Sequence, residues 1–457
     1  MFLFRENEKE RLNSFLQSNT KKALAIYGRR RVGKTELLLE FMRTSGKDKG
    51  IYFQCTSQNY DICLNDFIKT LLIYFPDETI FNSFHTFKDT FTYLSMLEHK
   101  YPIIIIDEFP FLCKKKSDAT TEFQWIIDHG LNGLKLILSG SNRSFMKKQI
   151  SNQKEPLYGR FDEILEIKPF TFQEILNIYP NFDDAIKIYS TTGGIAQYVT
   201  FYQEYNSVEV GIHKLFFETN GRLFQEANNL LQQEFNEIST YTSILRAIGN
   251  GEKNSAQISK KSNIELKSIS VYLKKLIEID IIKIVDNPLS SKKKDRRYKI
   301  SDLYFRFHYS FIEPNVSIIT SLGFQSSQYV LNNQYSEYLG YVYEEIIRQN
   351  CFYYALNKKL PFMPITVGKW WGNIQKDGAW IESEIDLIAY NNDSIVFGEC
   401  KYKSKAAGLK ELDNLKLKSQ FVNSQGRKVY YLIASKSGFT DELKSVLSDD
   451  IILIKTY

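Results

Sequence analysis

Uninterrupted apolar runs alternate with helical periodicity in the first third of the chain. The runs at 23–27 and 101–106 lack alternating polar positions, and the run at 134–138 is apolar except for Lys135, a pattern typical of central strands in a parallel sheet covered on both faces. This order of strands and helices predicts an α/β parallel-sheet core over residues 1–170. A helical lid subdomain is expected to follow over residues 171–229.

Between residues 230 and 315 the pattern changes to three helices and two short strands. The predicted helices span 241–248, 255–261 and 265–278, and the predicted strands span 281–285 and 298–300. The third helix carries apolar residues on one face at helical spacing: Leu266, Ile269, Leu273 and Leu276. Three helices followed by a hairpin predict a winged helix-turn-helix.

A further α/β unit is predicted over residues 336–457, after a linker over 316–335. It begins with a helix over 337–350, for which Ser336 is the expected N-cap. A strand-rich section follows this helix. The third unit therefore has its own predicted sheet.

The stretch SEIDLIAYNNDSIVFGECKYK, residues 383–403, predicts a β-hairpin with a two-residue turn at Asn392-Asp393. Counting outward from this turn places Asp386 opposite Glu399 and Glu384 opposite Lys401. Strand alternation puts all four side chains on one face. Charge in such apolar strands is costly unless it is paired, so this face is a candidate site.

The composition is that of a globular protein of about three domains, with 457 residues, 43% hydrophobic and 25% charged. Five cysteines without CxxC spacing and five scattered histidines predict no zinc site and fit a reducing cytoplasm. No signal-peptide pattern and no run of membrane-spanning length is found, so no membrane association is expected. A net charge of +6 suits a polyanionic partner.

The sequence GRRRVGKT at 28–35 stands between a predicted strand and a predicted helix, which is the setting of a phosphate-binding loop and disfavours an ordinary glycine turn. Glycine lets backbone N–H groups approach phosphate oxygens. Lys34 would reach the β- and γ-phosphates, and Thr35 would ligate Mg²⁺. The predicted ATP-binding residues here are Gly28, Arg29, Arg30, Arg31, Val32, Gly33, Lys34, Thr35 and Glu36.

Two carboxylates, Asp107 and Glu108, end the second apolar run. They lie at the C-terminal tip of a predicted strand, where open α/β sheets bind their ligands. Asp107 would hold the Mg²⁺ shell, and Glu108 would act as general base on the attacking water. Together with the phosphate loop, they predict ATP hydrolysis rather than a plain surface loop.

These motifs, with FRENEKERLNSFL near the start, PLYGRF at 156–161 and TTGGIAQYV at 191–199, resemble a prokaryotic AAA+ family close to the STAND ATPases. Members carry a winged helix and often a C-terminal nuclease-like domain. The resemblance implies that Ser141, in preference to Ser139, is a sensor residue that also contacts ATP. It further implies that Arg160 is an arginine finger or sensor, which a homo-oligomer would share between subunits.

The resemblance also places Arg5 and Glu6 near the adenine. The segment after Gly193-Gly194 departs from the family pattern, because Ala196 stands where a proline is common. This departure argues against a nucleotide contact by that loop.

The predicted wing is strongly basic. Winged helices place the third helix in the major groove while basic wing residues contact phosphates, and clustered lysines favour a salt-dependent grip. The candidate DNA-binding residues are Lys267, Lys274, Lys292, Lys293, Lys294, Arg296 and Arg297. A nucleotide lid, a protein-docking module and a solvated loop remain alternatives.

The hairpin of the third unit sets two carboxylates against each other, and directly opposed carboxylates repel. A divalent cation between Asp386 and Glu399 would remove the conflict, and hard oxygen ligands suit Mg²⁺ or Mn²⁺. Glu384 and Lys401 are expected to form a cross-strand ion pair.

This stretch resembles the PD-(D/E)xK nuclease core, of restriction-endonuclease-like fold. The resemblance implies that Asp386 and Glu399 ligate metal, that Lys401 positions or activates the nucleophile, and that Glu344 on the preceding helix is the additional acid. A solvated polar sheet edge and an inactive nuclease fold are the alternatives.

The sequence thus predicts a cytoplasmic, ATP-hydrolysing, DNA-associated protein with a metal-dependent nuclease-like domain, in which ATP gates DNA binding or cleavage. A regulatory ATPase switch that binds DNA or protein without cutting is the main alternative, and a transcription regulator is another. The preferred DNA, the oligomeric state and the biological process, whether defence, repair or mobile-element function, stay open.

Overall fold

The computed structural model describes residues 4–45, 50–97, 101–114, 116, 118–249, 251, 253–289, 296–376 and 378–456. The chain forms two compact units. The first comprises Met1–Glu174 and Ile195–Thr200, and the second comprises Ile175–Gly194 and Phe201–Tyr457. The boundaries predicted within the second unit stay predictions.

A five-stranded parallel sheet organises the first unit. Its strands are β1 (Ala23–Gly28), β2 (Gly50–Gln54), β3 (Ile103–Asp107), β4 (Lys135–Gly140) and β5 (Glu163–Ile167). Their order across the sheet is β2-β3-β4-β1-β5, with every neighbouring pair parallel. The three apolar runs form the three central strands, as expected for strands covered on both faces.

Helices cover both faces of this sheet. They are α1 (Glu6–Gln17), α2 (Lys34–Thr44), α3 (Tyr60–Tyr74), α4 (Phe87–Leu94), α5 (Pro110–Cys113), α6 (Ala119–Trp125) and α7 (Arg143–Ser151). One core centres on aromatic residues such as Phe67, Phe87 and Phe123, and the other packs Leu37 and Phe41 against the opposite face. This packing fixes the strand ends that carry Gly28 and Asp107.

Helices α8 (Phe172–Ile178), α9 (Phe182–Thr192), α10 (Ala196–Phe201), α11 (Val208–Phe216) and α12 (Glu226–Glu234) follow, with α8 and α10 crossing the unit boundaries. Short 3₁₀ or π segments accompany the helices at Thr79–Ser83, Ile126–Gly130, Tyr202–Glu204, His308–Ile312, Glu313–Asn315 and Gly323–Gln325. Residues 171–229 are therefore helical, as expected for that segment.

The middle of the chain folds as three helices and an antiparallel strand pair, close to the predicted bounds. These are α13 (Ser239–Gly249), α14 (Ser255–Ser262), α15 (Leu266–Glu278), β6 (Ile282–Val285) and β7 (Arg297–Ile300). Ile269, Leu273 and Leu276 are buried, whereas Leu266 is 54% exposed. Leu266 is the first residue of α15, at the exposed end of this apolar face.

Residues 316–335, predicted to be a linker, are helical. After α16 (Leu303–Phe307), α17 (Val316–Leu322) and α18 (Ser326–Gln349) occupy this segment, and α19 (Cys351–Leu356) follows. Helix α18 is interrupted at Asn332 and runs through Ser336, which is therefore not its N-cap. The linker prediction was wrong because Ile319 and Val330 are buried and hold the segment against its unit.

A second five-stranded sheet closes the chain. Its strands are β8 (Thr366–Lys376), β9 (Ala379–Tyr390), β10 (Ser394–Lys401), β11 (Lys428–Ser435) and β12 (Ile451–Lys455), with α20 (Leu409–Ser419) and α21 (Asp441–Ser445) between strands. The order is β12-β11-β10-β9-β8, antiparallel from β8 to β10 and parallel from β10 to β12. The predicted hairpin register is confirmed, since Ile395 pairs with Tyr390 and Gly398 with Leu387.

No helix in the described part of the chain is both long and apolar enough to cross a bilayer.

Candidate functional site

The loop between β1 and α2 forms a cradle at the C-terminal edge of the first sheet. Gly33 caps α2 in the left-handed region, with φ 92°, which a residue bearing Cβ adopts only with strain. The first amides of α2 thereby face the loop, as in anion-binding helix termini. Lys34 Nζ donates hydrogen bonds to the carbonyl oxygens of Gly28 (3.0 Å) and Arg29 (2.9 Å).

Positive charge is concentrated in this cradle. Burial lowers the pKa of Lys34 to about 8, and the nearby Glu108 and Asp107 carboxylates oppose that shift. The Nε atom of Arg30 is buried without a hydrogen-bond acceptor among the described residues. A buried cationic nitrogen of this kind suits an anion such as a nucleotide phosphate.

Asp107 and Thr35 meet at the end of β3. The Thr35 Oγ1 atom donates to Asp107 Oδ2 at 2.7 Å, and the Tyr52 hydroxyl donates to the same oxygen at 3.0 Å. Burial, followed by the Asp107 charge, raises the pKa of Tyr52. Hydroxyl and carboxylate oxygens are hard ligands, so this pair fits Mg²⁺ beside the phosphate loop. Sequence reasoning missed Tyr52, because its role depends on β2 pairing with β3.

Glu108 is held by the residue predicted to be a sensor. Its Oε2 atom accepts hydrogen bonds from Ser141 Oγ (2.7 Å) and from the Ser141 backbone N–H (3.2 Å). Glu108 has φ 54°, a costly conformation for a non-glycine residue that is often found at active sites. Ser139 Oγ is buried and has no hydrogen-bond partner among the described residues.

The segment after the glycine pair packs against the phosphate loop. The Gln197 backbone N–H donates to Arg31 O (3.2 Å), and Arg31 Nη1 donates to Gln197 Oε1 (3.2 Å). A Cβ built on Gly33 would lie 3.7 Å from the Cβ of Ala196. The segment therefore contacts the phosphate loop, with a small alanine next to Gly33.

Other predicted site residues lie around the loop. Val32 is buried and Glu36 is exposed on the first turn of α2. Arg5 donates to the carbonyls of Val32 (3.0 Å) and Lys168 (2.6 Å). The fold thus brings Arg5 to the loop from the chain's start.

Arg160 pairs with a carboxylate of its own unit. Its Nε atom lies 2.8 Å from Asp128 Oδ1, and its side chain is partly exposed. Within one chain, this contact directs the guanidinium to Asp128 rather than to the phosphate loop.

The candidate DNA residues are only partly described. Lys267 and Lys274 are exposed on α15, where Lys267 Nζ lies 2.9 Å from Glu265 Oε2. Arg296 pairs with Asp286 (3.1 Å). Arg297 pairs with Glu382 (2.5 Å) and Glu384 (3.2 Å) of the second sheet. Lys292, Lys293 and Lys294 lie outside the described residues.

In the second sheet, Asp386 is placed between like charges. Its Oδ2 accepts from the Cys400 backbone N–H (2.9 Å). Burial raises the pKa of Asp386 well above its usual value, and repulsion from Glu344 and Glu399 adds to the shift. The pKa of Glu344 is likewise raised, chiefly by burial. The three predicted carboxylates therefore share one region.

Glu399 is already neutralised by two lysines. Lys401 Nζ lies 2.6 Å from Oε1, and Lys418 Nζ of α20 lies 3.1 Å from Oε2. Nothing in the sequence singled out Lys418, because α20 is brought to β10 only by the tertiary fold.

The predicted ion pair between Glu384 and Lys401 was wrong. Glu384 is instead held by Lys369 (3.2 Å) and Arg297, while Lys401 turns to Glu399. In the described residues, no three His, Cys, Asp or Glu side chains are arranged to hold a metal ion. The carboxylates therefore do not form a ready metal centre as they stand.

In comparisons with known proteins, two different families match two different parts of the chain. A family described as "ATPase domain predominantly from Archaea" matches residues 2–201. A family described as "Archaea bacterial proteins of unknown function" matches residues 308–414. The chain is also similar to the uncharacterized protein MJECL04 of Methanocaldococcus jannaschii, at 32% identity over 95% of this chain and 96% of the relative.

Among solved structures, the chain is similar to the Aeropyrum pernix ORC2 protein, at 13% identity, TM-score 0.45, over 69% of this chain and 96% of that one. It is also similar to the STAND protein PH0952 from Pyrococcus horikoshii, at 15% identity, TM-score 0.33, over 79% and 52%. At such TM-scores neither likeness supports a conclusion about this chain. From the near full-length relative and the match over residues 2–201, the chain belongs to the same family as the M. jannaschii protein and carries a P-loop ATPase domain.

Proposed function

We propose that this protein is an ATP-hydrolysing switch of the AAA+ type, whose nucleotide state controls how its second unit engages DNA. The hydrogen bond between Thr35 and Asp107 carries the ATPase part. It joins the loop hydroxyl to the strand carboxylate, both next to the buried ammonium of Lys34.

Different residues of the first unit would bind the metal ion, bind the phosphates and orient the attacking water. Mg²⁺, when bound, supplies neutralisation of charge on the β- and γ-phosphates. Thr35 and Asp107 would hold it, and Lys34 would exchange its carbonyl acceptors for phosphate oxygens. Glu108 would orient the attacking water, with Ser141 holding that carboxylate in place.

Arg160 would act on the ATP of a neighbouring subunit. Its guanidinium is partly exposed and pairs with Asp128 within the chain, an exchangeable surface contact. A homo-oligomer would then complete the site with a cation for the transferring phosphate.

The DNA part rests on charge and on the order of elements. Helix α15 buries one apolar face and exposes Lys267 and Lys274 on the other, and an antiparallel strand pair follows it. A winged helix uses such a helix and hairpin for groove and phosphate contacts. The two parts are joined if the nucleotide bound to the first unit changes how α15 and the strand pair bind DNA.

The direct test is phosphate release from MgATP, with and without random-sequence duplex DNA. We expect Lys34→Ala to abolish release, and we expect DNA to change the wild-type rate. Lys267→Ala/Lys274→Ala should remove the DNA response but keep the basal rate. The matched control is Lys358→Ala/Lys410→Ala, which also removes two exposed lysines. Wild-type release by Lys34→Ala would refute the ATPase site, and an unaltered DNA response in Lys267→Ala/Lys274→Ala would refute the DNA role of α15.

A second candidate function, metal-dependent DNA cleavage in the second sheet, is supported by the repulsion that Asp386 shares with Glu344 and Glu399. Lys401, beside Glu399, is the cation that such a reaction would use. Among the described residues, these carboxylates do not form a ready metal centre, so a metal would have to draw them together on binding.

Plasmid DNA with Mg²⁺ or Mn²⁺, with and without ATP, tests cleavage. Cutting that is lost in Asp386→Ala would support it, and the effect of Lys34→Ala would show whether ATP controls it. Thermal denaturation with Mn²⁺ gives an independent readout, in which Asp413→Asn removes an exposed carboxylate as the control. No cutting and no Mn²⁺ stabilisation would leave the switch that binds DNA or protein without cutting.

A further inference from the structure

Cationic side chains of the β6–β7 pair form ion pairs with carboxylates of the second sheet and of α18. An inner layer contains Lys299, Glu345 and Arg348, with the exposed Lys283 at its edge. An outer layer contains Arg297, Lys369, Glu382 and Glu384. The carboxylates of the two layers differ in burial, and this difference decides which layer could exchange partners with a ligand.

The inner layer is fixed. Lys299 pairs with Glu345, and Arg348 Nη2 lies 2.6 Å from the same carboxylate. All three side chains are at most 10% exposed. Separating them would leave an uncompensated buried charge, so this layer holds β7 against α18 permanently.

The outer layer can exchange. Arg297 Nη2 lies 2.5 Å from Glu382, and Nη1 lies 3.2 Å from Glu384. Lys369 Nζ lies 3.2 Å from Glu384, but the Lys369 side chain is only 8% exposed, so Arg297 is the cation of this layer that can exchange. Glu382 is 66% exposed and Glu384 is 46% exposed. Solvent screens these contacts, and a competing anion can reach them.

The surroundings of the Arg297 guanidinium suit a phosphate as hydrogen-bond acceptor. Its guanidinium carbon lies 4.7 Å from the centre of the Trp371 ring, which holds the planar fork in one orientation. A guanidinium group donates paired hydrogen bonds to a carboxylate or to a phosphate with similar geometry. Arg296, the next residue, is likewise paired with an exposed carboxylate, Asp286. Both described arginines of the strand pair thus have internal carboxylates as acceptors.

We propose that Arg297 is a binding site for the nucleic-acid phosphate backbone that Glu382 and Glu384 mask by occupying it as phosphate substitutes. Nucleic acid binds there by displacing the two carboxylates, while the inner layer keeps the strand pair in place. This inference rests on the proposed DNA engagement and adds the surface and its internal competitor.

The test is fluorescence anisotropy of a labelled random-sequence duplex with the full chain, over a series of salt concentrations. Glu382→Gln/Glu384→Gln should bind about tenfold more tightly at low salt, with a log–log salt slope steeper by about one phosphate contact. Adding Arg297→Gln to that variant should return affinity and slope to the wild-type values or below. Glu382→Gln alone, at the more exposed carboxylate, should give part of the gain.

The matched control is Glu204→Gln/Glu218→Gln, which removes two carboxylates from the surface pairs with Arg222 and Lys214 and changes net charge equally. An equal gain in this control would overturn the proposal, as would a gain that survives Arg297→Gln. So would tighter binding of a labelled polyglutamate but not of duplex, which would assign the surface to an acidic protein.

The outcomes separate this inference from the proposed function. If wild type binds duplex and Glu382→Gln/Glu384→Gln binds it equally, only the masked site fails. If Glu382→Gln/Glu384→Gln binds duplex and wild type does not, the two carboxylates block the site completely in the wild-type protein. If neither binds, both proposals fail.

Discussion

Burial inside the phosphate-binding loop lowers the pKa of Lys34 to about 8, close to neutral pH. The folded protein therefore releases this proton more easily than the unfolded chain does. Between pH 8 and the ordinary lysine value, the unfolded state binds more protons, and Lys34 makes stability rise with pH there. Nucleotide binding has the opposite dependence, because phosphate favours the charged ammonium.

We therefore expect MgATP affinity to be flat below about pH 8 and to fall above it, by up to about tenfold per pH unit. Titration of a fluorescent ATP analogue from pH 6.5 to 9.5 measures this dependence. Lys34→Arg is the control, because its guanidinium stays charged. The affinity of this variant for the analogue should change little between about pH 6.5 and 9.5. An equally steep fall in Lys34→Arg would assign the titration to another group.

Ser141 is expected to affect hydrolysis through its contact with Glu108. Its hydroxyl donates to Glu108 Oε2 at 2.7 Å, so Ser141→Ala removes this hydrogen bond and leaves the carboxylate only the backbone N–H donor at the same position (3.2 Å). We expect hydrolysis to slow by about tenfold, compared with at least about 100-fold for Glu108→Gln, which lacks a base. Single-turnover phosphate release and ATP affinity separate the two effects.

Ser139→Ala serves as the comparison, since Ser139 is the other candidate sensor and its hydroxyl is buried in β4. Near wild-type turnover is expected from it. A larger loss in Ser139→Ala than in Ser141→Ala would reverse the assignment of the sensor.

At the scale of elements, the strand pair β6–β7 is attached to α18 by buried charge. Lys299 is 5% exposed and pairs with Glu345, whereas Lys283 is 49% exposed and lies 3.7 Å from the same carboxylate. We expect Lys299→Met to destabilise the protein by about 3–5 kcal/mol, because it leaves Glu345 short of a cation.

Lys283→Met, the matched change at the exposed partner, should cost at most about 1 kcal/mol. Urea unfolding followed by circular dichroism measures both. The pKa of Glu345 is held well below its usual range, with its neighbouring cations outweighing burial. Its stabilisation is therefore present at neutral pH and is lost as the pH falls through that lowered pKa. Equal costs for the two variants would contradict a buried inner layer.

At the scale of the whole molecule, α9 folds with the C-terminal part of the chain. The Tyr338 hydroxyl of α18 donates to the carbonyl oxygens of Ser190 (2.7 Å) and Leu303 (3.2 Å). Asp183 of α9 pairs with Lys436 (2.5 Å) and accepts from Tyr402 (3.1 Å). Helix α9, which lies in the segment predicted to be a lid, is thus tied to α18 and the second sheet within one unit.

Tyr338→Phe should destabilise this unit by about 1–3 kcal/mol, because it leaves two buried carbonyls short of a donor. Hydrogen exchange should then speed up together in α9, α16 and α18. Tyr329→Phe, at an exposed tyrosine of the same helix, is the control. Faster exchange confined to α18 would show that the three helices do not open as one body.

Sequence patterns predicted the local features well. The apolar runs located β1, β3 and β4, the phosphate-loop motif located the cradle, and the turn at Asn392-Asp393 fixed the register of β9 and β10. Each depends on neighbours along the chain or on one hairpin, so spacing and residue type are sufficient. Predictions that depended on long-range partners fared worse, as the helical segment at 316–335 shows.

The sequence by itself determined the P-loop ATPase core, because strand burial, glycine geometry and the Lys34–Thr35 chemistry are encoded within short stretches. Only the tertiary structure decided which charges meet. It gave Glu399 the distant Lys418, turned Lys401 away from Glu384, and paired Arg297 with Glu382. An ion pair forms between side chains that packing brings together, and packing is set by the whole chain rather than by the residues that carry the charge.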